Sequence, residues 1–315
     1  MRCSLTGSLA IALLVTNESA MAGRRPAGRP QLEGIWNGAT LTPLERPAGF
    51  EHRATFTPEE GAEYKRTAPD RALNGLVTAA DRLTQADVDD TYVETEVYEL
   101  DRMRTSVIVD PPDGRLPDLL PSARARIAAR PKRLFEDPET FGLAERCLLG
   151  IFRLGGSLAS PPLTPSQVLP GYYQIVQTDT EVMIFTEWIH DARIVRMNSA
   201  HLPSTIRKWL GDSVGVYEGA TLVVDTTNFR NDTRNLNSSE QLHVVERFTR
   251  LDPKTLSYRV TVADPDTWAT PWTAEWLFKG TDTMLYPIEC HERNYAIEHF
   301  LRGARFEERA RGQER

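Results

Sequence analysis

The chain has 315 residues, with 37 Lys and Arg against 44 Asp and Glu, a formal net charge of −7 and 40% hydrophobic residues. That length buries a substantial core as one large or two small domains. A mildly acidic chain with no basic block lacks the electrostatic footprint of a nucleic-acid binder, and no apolar run is long enough to span a bilayer.

In chain order, Arg2 followed by the apolar run Leu9-Ala10-Ile11-Ala12-Leu13-Leu14-Val15 and then Ala20-Met21-Ala22 predicts a signal peptide over residues 1–22. The mature protein is then expected to be periplasmic or secreted, and it keeps Cys147 and Cys290 after Cys3 leaves. In an oxidising compartment such a pair is expected to form a disulfide, stabilising by about 4 kcal/mol in the chain-entropy model. The alternative is a Cys/His metal site, because His291 follows Cys290. Residues 23–31 form a Pro/Gly/Arg linker, residues 32–305 a single domain, and residues 306–315 a charged tail.

Leu32-Glu33-Gly34-Ile35-Trp36 predicts a first strand with the Gly-x-Trp opening of lipocalin-type barrels. Thr57-Pro58-Glu59-Glu60 is a helix start, with a Thr cap, Pro at the first position and acids against the dipole; the helix runs to about Lys65. Arg104 to Asp110 predicts a strand ended by the Pro111-Pro112-Asp113-Gly114 turn, and Ser122 to Arg130 a basic helix halted by Pro131. Residues 136–170 read as a long excursion.

After Gly171 strands follow closely: 172–178 and 182–190 as a hairpin, 193–197, 220–229, the hairpin 242–250 with 255–263, then 273–278 and 284–290. Trp209-Leu210-Gly211-Asp212-Ser213 reads as a turn capped by Asp212. The fold class is mainly β: an antiparallel calycin or lipocalin-like barrel, or alternatively a β-sandwich, with a few short helices in the N-terminal half.

Several motifs belong together as a set: Thr42-Pro43-Leu44-Glu45-Arg46-Pro47, Val109-Asp110-Pro111-Pro112-Asp113-Gly114-Arg115, Glu145-Arg146-Cys147, Ile189-His190-Asp191-Ala192-Arg193 and Leu222-Val223-Val224-Asp225-Thr226-Thr227-Asn228-Phe229. This set resembles a largely uncharacterised family of exported, β-rich bacterial proteins. The resemblance covers most of residues 32–305 and implies architecture and export, not a reaction.

The chemistry concentrates in three clusters, 187–193, 240–247 and 290–292. Strand alternation puts Glu187 on an apolar face with Met183 and Phe185, Asp225 with Val223 and Thr227, and Glu246 with Leu242, Val244 and Phe248. If those faces point inward, all three are core-facing carboxylates with Arg146, Arg193 and Arg247 as partners. A histidine beside a carboxylate is what acid/base chemistry near neutral pH needs.

The expected catalytic residues are therefore His190 and His243, with Glu187 or Glu246 orienting one of them. Arg193, Tyr173, Asp225, Arg146 and His291 are expected to bind substrate; His201 reads as a loop histidine. This describes an enzyme without cofactor, a lyase or otherwise an isomerase or hydrolase, acting on an aromatic or sugar-like small molecule. The alternatives are a divalent metal held by His190, His243 and His291, and a lipocalin-like binding protein for a hydrophobic ligand.

Overall fold

Nine strands follow one another around a closed barrel. The computed structural model describes residues 29–67, 99–129, 137–141, 143, 146–149, 161–165, 171–187, 190–231, 235–286 and 295–313. Around the wall β1 (Gly34–Asn37) pairs with β3 (Tyr172–Gln177). Then come β4 (Glu181–Thr186), β5 (Ala192–Met197), β6 (Asp212–Glu218), β7 (Thr221–Thr227), β8 (His243–Asp252), β9 (Thr255–Ala263) and β10 (Trp272–Thr281). The last strand returns to β1, with Ile35 opposite Thr281, and closes the wall. The short β2 (Ile108–Asp110) pairs with the N-terminal end of β10, so a tenth strand extends the sheet beside the closed circuit. The mainly β barrel expected from the alternation is the observed fold.

One pairing departs from the antiparallel expectation. β5 and β6 run parallel, Val195 opposite Ser213, joined by the crossover 198–211. Strand β6 is also absent from the sequence reading, which takes residues 209–213 for a turn. Gly211 does turn, at φ +72°, and a Cβ there would come within 2.6 Å of Thr226 Cγ2. Asp212, however, begins the strand. Its first two inward residues are the small Ser213 and Gly215, with Tyr217 partly buried after them, while Val216 points outward and is 43% exposed. The hydrophobic pattern is thus inverted, and alternation alone misreads it. The room is tight: a Cβ on Gly215 would meet Val195 Cγ1 at 2.8 Å.

Helix α1 (Pro58–Arg66) begins as expected, with Thr57 and Glu60 forming a reciprocal capping box. Helix α2 (Pro121–Ala128) sits against the β9–β10 connection, where Leu120 N–H donates to Thr267 O at 2.9 Å and Arg126 to Thr267 Oγ1 at 2.8 Å. Of the expected strand 104–110 only β2 forms. Residues 284–286 carry no strand, and the rest of 284–290 lies outside the described residues. Helix α3 (Ala296–Gln313) runs from the end of the expected domain through residues 306–313 of the expected charged tail. Its charges pair along the helix, Glu298 with Arg302 and Glu308 with Arg305. Among the described residues no helix is long and apolar enough to cross a membrane.

The lumen is filled with side chains. Alternate residues of each strand point inward: Tyr173 and Ile175, Val182 and Ile184, Leu222 and Val224, Val260 and Val262, Trp276 and Phe278, all under 5% exposed.

Candidate functional site

The strands position two ionic centres, one inside the barrel and one on its outer wall. The inner one joins β5 to β8 across the lumen. Arg193 projects inward with Val195, and Glu246 with Val244 and Phe248. Arg193 Nη2 donates to Glu246 Oε1 at 3.0 Å and Nη1 donates to Oε2. Tyr258 on β9 donates its hydroxyl to Glu246 Oε1 at 2.9 Å. Glu246 is fully buried and Arg193 is 3% exposed.

Burial alone pushes the Arg193 guanidinium down, but the charge and hydrogen bonds of Glu246 outweigh it and hold it above its ordinary value. Burial also pushes the Tyr258 and Tyr173 phenols up, so both stay protonated hydroxyls. Tyr173 stacks on Phe278 at 5.4 Å in the same interior. This is a neutralised, buried ion pair with a phenol as the third donor to its carboxylate.

The outer centre stands on β6, β7 and β8. Asp225 and His243 both point away from the lumen, one at the middle of β7 and the other at the start of β8. His243 Nε2 lies 3.0 Å from Asp225 Oδ1, and His201 Nε2 lies 3.0 Å from the same oxygen. His201 Nδ1 is in turn 3.3 Å from Asp212 Oδ2. Only an imidazolium can donate through both ring nitrogens, so a neutral His201 serves one carboxylate at a time.

Asp212 is buried and gathers the crossover around itself. It accepts from Leu202 N–H at 2.9 Å, Arg196 Nη2 at 2.9 Å and Lys208 Nζ at 3.0 Å. Asn228, at φ +55° in the left-handed region, ties the other side of the loop through Nδ2 to Leu202 O at 2.9 Å. The result is a chain of carboxylate, imidazole, carboxylate and imidazole that ends at the surface on His243, whose side chain is 43% exposed.

The titration of this centre follows from its bonds. His243 is raised above its ordinary value, first by the hydrogen bond to Asp225, with partial burial opposing. Partial burial pushes Asp225 up, but its bonds to His243 and His201 win and hold it below the usual carboxylate range. Asp212 is also held low, because the Leu202 N–H, Lys208 and His201 outweigh its burial.

The structure scatters the residues that the sequence groups. Of the three carboxylates expected to face the core, only Glu246 does. Asp225 faces outward, because β7 turns Leu222, Val224 and Thr226 inward instead. Glu187 lies just past β4 on the outward parity; it is 5% exposed and its Oε1 accepts from Tyr286 N–H at 2.9 Å, tying down the segment after β10. His190, at φ +51°, stands beside Phe185 with ring centroids 5.2 Å apart. Strands β5, β6 and β7 lie between β4 and the His243 strand, so the two imidazoles do not share a site.

Arg193 is sealed in the lumen and Arg146 is exposed. Arg247 pairs on the outside with Glu218. Cys147 is 8% exposed, while Cys290 and His291 lie outside the described residues. Among the described residues no group of three or more His, Cys, Asp or Glu side chains is placed to hold a metal ion.

His201 and Asp212 are the site residues that sequence reasoning missed. They meet across a crossover whose path alternation does not encode; only the shared bond of Asp225 to two histidines reveals them.

Comparison with protein-family models and with curated proteins gives no match. Among solved structures, a point mutant of the fluorescent protein UnaG is similar at 14% identity, over 36% of this chain and 72% of that one, with a TM-score of 0.23. The strand register, not this likeness, defines the barrel.

Proposed function

We propose that the protein is an exported small-molecule enzyme that moves protons at the outer wall of its barrel, with His243 as the acid/base and Asp225 as the residue that orients it. One observation carries this reading: a half-exposed imidazole whose Nε2 is anchored 3.0 Å from a carboxylate. Anchoring Nε2–H on Asp225 fixes the tautomer and leaves the Nδ1 lone pair for a substrate proton. The raised His243 value makes it a stronger base, and Asp225 stabilises the imidazolium that forms.

The reaction class is proton abstraction of the lyase or isomerase kind, or base-assisted hydrolysis, without an organic cofactor. An aromatic or sugar-like substrate suits the neighbouring crossover, where the half-buried Trp209 lies 4.2 Å from the Arg230 guanidinium. Glu246 and Arg193 stand apart from this chemistry, since a fully buried ion pair has no access to substrate protons.

The leader over residues 1–22 and a bond between Cys147 and Cys290 belong to the same proposal. A two-cysteine mature chain with one cysteine buried suits an oxidising compartment.

The test is solvent-deuterium incorporation in D2O into a panel of phenolic acids, sugar lactones and uronates. The wild type should exchange a C–H of at least one compound. His243→Gln should lower that rate about 10²–10⁴-fold while the melting temperature holds. Equal exchange by wild type and variant, or none by the wild type across the panel, refutes the proposal.

A further inference from the structure

The barrel lumen contains a piece of the chain that is not part of the wall. Leu163 is 2% exposed and belongs to the same apolar cluster as Trp36, Tyr173, Tyr258 and Trp276. Pro161 and Pro162 before it are buried, and Thr164 is 5% exposed. The Leu163 N–H donates to Tyr258 Oη at 3.2 Å, and Tyr258 points inward among Phe248, Trp276 and Phe278.

We propose that residues 161–165 are a built-in plug, seated where open barrels of this size hold a ligand, and that the lumen's docking point admits only a hydrogen-bond donor. The composition of the segment suits burial inside the wall. Pro161, Pro162 and Pro165 have no N–H, so the segment carries only two backbone N–H donors, those of Leu163 and Thr164.

The polarity of the docking point follows from the bonds behind it. The Tyr258 hydrogen is directed to Glu246 Oε1, and both Glu246 oxygens face Arg193. Tyr258 Oη therefore turns a lone pair toward Leu163. A molecule displacing the plug must bring an apolar body with an N–H or O–H at that point. An ionised carboxylate brings only acceptors to an oxygen whose own hydrogen is already given to Glu246, so fatty-acid-like anions are excluded. This inference is independent of the outer-wall site.

Hydrogen exchange of the full-length protein reads the plug through its two amides. In the wild type they should exchange as slowly as those of β9 (Thr255–Ala263). In Tyr258→Phe, which loses the acceptor, they should exchange at least about 10-fold faster. Uptake of two probes reads the polarity. The wild type should bind neither N-phenyl-1-naphthylamine, a neutral lipophile with one N–H, nor palmitate. Leu163→Gly, which loosens the plug and keeps Tyr258, should bind the amine and not palmitate.

Wild-type amides that exchange within seconds would overturn the plug, as would a folded Leu163→Gly protein that still excludes the amine. Palmitate bound as well as the amine would overturn the donor rule. If Tyr258→Phe does not fold, the wild-type exchange and the Leu163→Gly uptake decide alone.

Discussion

Removing Glu246 separates a structural ion pair from a catalytic carboxylate. Glu246→Ala leaves the Arg193 guanidinium, 3% exposed, without its counter-charge, and leaves the Tyr258 hydroxyl without its acceptor. Breaking a buried pair from one side costs about 3–5 kcal/mol. The orphaned hydroxyl adds about 1 kcal/mol, since such terms are not additive. At about 2–4 °C per kcal/mol for a domain of this size, the melting temperature falls by roughly 8–24 °C. Replacing both partners by apolar residues, Arg193→Met with Glu246→Leu, removes the buried charge and returns the protein to within about 2 kcal/mol of wild type. Urea titration followed by tryptophan fluorescence measures all three proteins. A Glu246→Ala loss below about 1 kcal/mol would be the behaviour of a solvent-exposed pair and would refute the sealed lumen.

The remaining predictions concern the outer wall. Asp225 is lowered in the fold, so its contribution is present above its unfolded value near pH 3.9 and fades as pH falls through the folded value. His243 is raised, so its contribution is present below about pH 6.5 and fades as pH rises through the folded value. The stability lost in Asp225→Asn should therefore be greatest between about pH 4 and pH 6.5 and shrink on both sides; a pH-independent loss argues against the bond. Asp212→Ala strips the buried acceptor that Leu202 N–H, Arg196 and Lys208 share, at about 1–3 kcal/mol. Limited proteolysis should then cut within residues 198–211, where the wild type resists.

Much of the barrel is legible in the sequence because its strands are apolar, short and closely spaced. β3 and β9 place large apolar residues on every second position, and the short turns after β3 and β8 fix two of the pairings. Strand β6 is hidden because Ser213 and Gly215 fill its first two inward places, leaving the valines outside. The sequence reading finds Asp225 and His243 but aims Asp225 inward. Val223 and Thr227, its face-mates, resemble core residues, and Val223 is in fact only 8% exposed although it faces outward. The link through His201 to Asp212 depends on a parallel crossover, and periodicity carries no information about that path. Glu246 does sit among apolar residues, as its strand pattern indicates. Its partner Arg193 stands out in the sequence as well, though as a substrate anchor and not as the counter-charge across the lumen.

The pH–rate profile of the deuterium exchange reads the protonation of His243 during turnover. With Asp225 in place, the acidic limb should follow deprotonation of an imidazole raised above its ordinary value near 6.5, and Asp225→Asn should move that limb to lower pH. A profile that keeps its inflection in Asp225→Asn, or survives intact in His243→Gln, would contradict proton transfer by this imidazole.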